Sequence, residues 1–120
     1  MSLSVESLWK MSDVELLAAY HDARRRFAEG KFARDTERAR LEWLRAKAFA
    51  ATSGNVTERR NIVETSEDIA RKAQQLREMT RDLDLLKVDI DVAAMVVRLR
   101  GAFAPADAAE DTADGEDKAE

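Results

Sequence analysis

The sequence predicts an all-α fold: an antiparallel, coiled-coil-like helical hairpin of two long helices with a short N-terminal docking helix, assembled into a helical-bundle oligomer. Three observations predict it. Ile62, Ile69, Leu76, Leu83, Ile90 and Val97 recur at intervals of seven without a miss, the period of a helix seam buried against another helix, and are the expected self-association seam. One Pro and four Gly in 120 residues, with 37% charged and 45% hydrophobic, suit long helices rather than sheets with their frequent turns. Finally, the stretch after Ser12 carries two apolar stripes, more than one partner helix can cover.

At this length the chain has room for one domain and a modest core. Its expected organisation is a helical domain over 1–103, with helices at 3–11, 13–52 and 56–103, followed by an acidic disordered tail over 104–120. Leu3, Val5, Leu8, Trp9 and Met11 make the first piece too short to hold a helix alone, yet apolar enough to need a surface. Ser12 and Glu15 then stand at capping-box spacing, with Met11 and Leu16 placed as a hydrophobic staple.

From Asp13 to about Thr52 only Gly30 interrupts a run of helix formers. One stripe passes through Leu16, Tyr20, Ala23, Phe27 and Gly30, crosses polar Arg34 and Glu37, and continues through Leu41, Leu44 and Ala48. The other passes through Ala28, Phe32, Thr36, Ala39, Trp43, Ala46 and Ala50. A helix apolar on two faces, in a chain with few other helices to surround it, points to self-association.

Thr52-Ser53-Gly54-Asn55 is the interior turn, with Gly54 suited to a left-handed C-terminal cap and Asn55 to an N-cap over Glu58. A link this short makes the long helices antiparallel neighbours, with Leu44 near Glu64 and Leu16 near Val92. The last helix is expected to run unbroken from Val56 to Arg100 or Phe103. Along it Ser66, Ala73, Thr80 and Ala94 flank the seam narrowly, while Met79, Leu86 and Ala93 widen it. Val88-Asp89-Ile90-Asp91-Val92 alternates as a half-buried strand would, but the seven-residue repeat crosses it in register, and a lone strand would leave its backbone groups unpaired.

Charge is divided. The net of −4 combines a tail of −6, with seven acids and one Lys in 104–120, and a remainder of +2. The tail lacks any apolar residue larger than Ala and is expected to be disordered. Its acidity is able to compete for a basic surface or to hold off non-specific nucleic acid. Fourteen of the 20 basic residues are Arg, the better two-pronged binder of phosphate and carboxylate. Arg40, Arg45, Lys47, Arg59 and Arg60 gather about the turn, with Trp43 and Phe49 nearby, and Arg24-Arg25-Arg26 forms a second cluster. These are the candidate contacts for an anion or a nucleic acid, set against the plainer reading of Arg as a helix former on a wet surface.

Read together, RAKAFAATSGNVTERRNIVETSEDIARKAQQLREMTRDLD, over 45–84, resembles small all-helical proteins encoded by tailed bacteriophages, particularly of actinobacterial hosts. In these an Ala- and Arg-rich helix, a Gly-containing turn, a Val-x-Glu-Arg start and a long charged helix follow in that order. The resemblance spans residues 32–103. It implies a phage origin and a cytoplasmic, non-virion role beside replication or recombination genes, and it brings no catalytic residues.

Catalysis has no sequence support. The chain has no Cys, which removes thiol catalysis and thiolate metal sites and fits a reducing, cytoplasmic address. His21 is the only imidazole, with no second ligand at metal-binding spacing. Asp82, Asp84, Asp89 and Asp91 are spread around a helix instead of gathered in a loop with a Gly turn. Glu64, Glu67 and Asp68 have Arg71 and Lys72 at helix-pairing distance. No phosphate loop or nucleophile motif occurs, no cofactor is implied, and no apolar run is long enough for a membrane span. The expected function is that of a non-enzymatic homo-oligomer binding another protein. The alternative is a nucleic-acid-binding accessory protein acting through the basic turn, and small anionic ligands between subunits are neither supported nor excluded.

Overall fold

The computed structural model describes residues 3–101 and is all-helical, with four helices and no strand among the described residues. The helices are α1 (Val5–Lys10), α2 (Asp13–Ala51), α3 (Val56–Thr65) and α4 (Glu67–Gly101). Phe103 and the acidic tail lie outside the described residues.

The starts of α1, α2 and α3 are each capped by a short polar side chain. Ser4 Oγ accepts from the Ser7 amide at 3.1 Å. At the start of α2, Ser12 Oγ accepts from the Glu15 amide and the Glu15 carboxylate accepts from the Ser12 amide, so two donors without helical partners are satisfied reciprocally. That contact with the Ser12 amide, and secondarily with its hydroxyl, holds the Glu15 carboxyl below the usual carboxylate range. Asn55 Oδ1 accepts from the Glu58 amide at 2.9 Å to open α3. Gly54 before it has φ of 116°, and a Cβ there would stand 2.7 Å from the Glu58 carboxylate. Conformation and space both call for glycine.

The expected unbroken helix from Val56 divides at Ser66, which is extended (φ −60°, ψ 132°). The sequence shows why. Thr65 Oγ1 hydrogen-bonds back to the carbonyls of Asn61 and Ile62, a habit that loosens a helix end. Ser66 is a good N-cap type, and Glu67 and Asp68 put negative charge in the first turn of α4, where the helix dipole favours it. The alternating segment Val88–Val92 is helical throughout.

The described residues form two compact units, 3–24 with 86–101, and Arg25–Leu85. In the first, Leu8, Leu16, Ala93 and Val96 make a buried cluster, with Leu3, Met11, Tyr20, Val92 and Val97 packed around it. In the second, Leu41, Val63 and Ile69 are buried, flanked by Leu44, Ala48, Phe49, Ala73 and Leu76. Burial of each large side chain contributes about 1.5–3 kcal/mol. Gly30 allows a close approach in this unit, since a Cβ on it would fall 2.6 Å from Leu83 Cδ2.

Candidate interaction surfaces

The heptad residues are not equivalent. Ile69 and Leu83 are buried, Leu76, Ile90 and Val97 are half-buried, and Ile62 is 51% exposed. Ile69 and Leu76 pack with Leu41 of α2, and Val97 packs with the cluster containing Leu8 and Leu16. Leu83 abuts Gly30. Much of this seam is therefore occupied by the chain's own helices. Ile62 lies before the extended Ser66, on the exposed side of α3, and its neighbour Val63 is buried instead.

On α2 the same seam is polar at two positions, and the structure pairs both with charge. Glu37, its side chain 14% exposed, lies 2.6 Å from Lys72 Nζ and accepts from Arg40 Nη1 at 2.6 Å. The Lys72 ammonium holds the Glu37 carboxyl below the usual carboxylate range against the opposing push of desolvation, and Arg40 adds to the lowering. Arg34, mostly buried, reaches Asp35 at 3.2 Å.

The candidate basic residues are mostly engaged. Arg24 lies over the Tyr20 ring and Arg25 pairs with Glu29 at 3.1 Å, while Arg26 beside them is exposed. Arg45 meets Glu64 at 2.9 Å, and Lys47 sits 5.0 Å above the Trp43 ring. Arg59 is structural. Its guanidinium stacks 3.9 Å from the centre of the Phe49 ring and donates to the Phe49 carbonyl at 2.7 Å. It thereby closes the C-terminal end of α2, whose last turn holds no basic residue of its own. Arg60 lines an open groove with Arg45, Ala46, Phe49, Val63 and Glu64.

Arg100 repeats the device at α1. It donates to the carbonyls of Trp9 (2.7 Å) and Leu8 (3.4 Å), lies over the Trp9 ring and pairs with Asp13 at 3.1 Å. No sequence spacing signals a contact across 91 residues; the only hint is a short apolar helix needing something to hold its end.

The second stripe of α2 meets solvent. Phe32 is 75% and Trp43 61% exposed, with Ala28, Ala39, Ala46 and Ala50 exposed between and beside them and Thr36 half-buried. In the other unit Val14, Leu17, Val88, Met95 and Leu99 are also exposed. His21 is exposed, and among the described residues no three His, Asp or Glu gather as metal ligands would. No described helix is long and apolar enough to cross a membrane. Comparison with known proteins finds no matching family model, no similar curated protein and no similar solved structure.

Proposed function

We propose that the protein is a non-enzymatic, phage-type helical interaction protein that self-associates and binds another protein in the cytoplasm. Its proposed shape is an antiparallel hairpin of α2 with α3 and α4, on which α1 docks. The order of contacts supports the hairpin: Arg45 with Glu64, Glu37 with Lys72 and Gly30 with Leu83 descend along α2 as they ascend along the partner. Leu8, fully buried beside Leu16 and Val96, supports the docking helix.

The observation that carries the functional reading is the exposed aromatic and alanine stripe of α2. Apolar residues in such a row mark an interaction surface more often than a free one. The nucleic-acid alternative is less favoured, because Arg59 is committed to a helix end and Arg45 to Glu64 of the facing helix.

The test is the solution mass of the full chain by light scattering over a wide concentration range, beside anisotropy of labelled single- and double-stranded DNA at low and physiological salt. A mass above one chain without DNA binding is the expected result. A single-chain mass at every concentration refutes self-association, and saturable binding with a steep salt slope promotes the alternative.

A further inference from the structure

The exposed stripe of α2 has a regular heptad, and its charged flanks carry directional information. Phe32, Ala39 and Ala46 take the d positions, and Thr36, Trp43 and Ala50 the a positions. This row lies on the side of the helix opposite Leu41 and Leu44, which face the chain's own core. Asp35 and Glu42 then fall at g, and Arg40 and Lys47 at e, all four exposed.

In a parallel, in-register helix pair a g residue meets the partner's e residue five positions later. Asp35 would meet Arg40 of a second copy, and Glu42 would meet Lys47, each twice by symmetry. Antiparallel pairing sets g against g and e against e, placing acid on acid and base on base. The existing partners of these groups lie on their own helix: Asp35 pairs with Arg34 and Arg38, Arg40 with Glu37, and Lys47 lies over Trp43. Glu37 keeps Lys72 at 2.6 Å when Arg40 turns to a second copy.

We infer that the occupant of this stripe is a second copy of the chain, with the two α2 helices parallel and in register through Phe32, Thr36, Ala39, Trp43, Ala46 and Ala50. The inference rests on the self-association proposed above and fixes its surface and direction. Alanines on both sides of Trp43 allow the backbones to approach and leave room for the paired indoles, and Phe32 closes the end of the contact.

The test uses the full chain, which has no Cys, so that Ala51→Cys, at an exposed position outside the row, carries its only thiol. Nitroxide labels there lie on neighbouring helices at the same level if the pair is parallel, with axes about 8–10 Å apart. In an antiparallel pair centred on Ala39 the same labels are about 36 Å apart along the axis. Asp35→Lys with Glu42→Lys is expected to lower the mass to one chain with helicity retained, and mixing with Arg40→Glu, Lys47→Glu protein to restore the two-chain mass. Phe32→Glu with Trp43→Glu is expected to leave a single-chain mass. An unmodified chain that stays single at every concentration overturns both this inference and the self-association beneath it. An oligomer with labels at the long distance, or one indifferent to these substitutions, overturns the parallel α2 pairing alone.

Discussion

Arg59 and Arg100 each lie over an aromatic ring and donate to the terminal carbonyls of a helix. Lysine lacks the planar fork that does both. Arg59→Lys and Arg100→Lys should each destabilise by about 1–2 kcal/mol, read from urea midpoints. Gly30 has a different constraint. Gly30→Ala gains helix propensity but drives a methyl into Leu83, a net cost of up to about 2 kcal/mol. Leu83→Ala, costing about 2–4 kcal/mol alone, should be partly relieved by Gly30→Ala, so in a double-mutant cycle the pair should cost less than the sum of the two single changes. The folded-state pKa values of Glu15 and Glu37 are both lowered. Their stabilisation is complete above the unfolded carboxylate pKa of about 4.3 and is lost as pH falls through the folded values. Thermal midpoints should drop on acidification below that point, and less steeply in Glu37→Gln. The Ser12, Gly54 and Asn55 caps were readable because a cap is a matter of spacing over three or four residues. The arginine clamps were not, because they join positions that only the fold brings together.

Among the elements, the buried stripe of α2 from Leu16 to Ala48 could be read directly, including its polar interruption at Arg34 and Glu37, because a long uninterrupted helix keeps its 3.6-residue phase. The heptad from Ile62 to Val97 could not be transferred whole. A repeat counted through Ser66 assumes continuous helix, and one extended residue breaks that assumption while leaving the count of seven intact. Thr65-Ser66-Glu67-Asp68 was the available signal, a cap type followed by two acids. The contrast between neighbours tests this phase: Val63→Ala should cost about 1–3 kcal/mol in chemical denaturation, whereas Ile62→Ala should fall within about 0.5 kcal/mol of the parent.

For the molecule as a whole, fold class followed from composition and periodicity, whereas function did not, since among the described residues no three His, Asp or Glu gather as metal ligands would. What marks a surface is exposure in the wrong chemical company, as at Phe32 and Trp43, and exposure is a property of the folded chain. On the protein-interaction reading, low-salt DNA titrations should show no saturable anisotropy change, and Arg45→Ala with Arg60→Ala should leave solution mass unaltered. The extended residue between α3 and α4 also acts as an angular setting. The ψ of 132° at Ser66 frees the phase of α3 from that of α4, and in that phase Val63 rather than Ile62 is buried. Arg59 rides on the same short helix, so the guanidinium that closes α2 and the valine that fills the core are presented by one rigid piece. Deleting Ser66 would fuse that piece to α4 in a single helical phase, and the two contacts should be lost together.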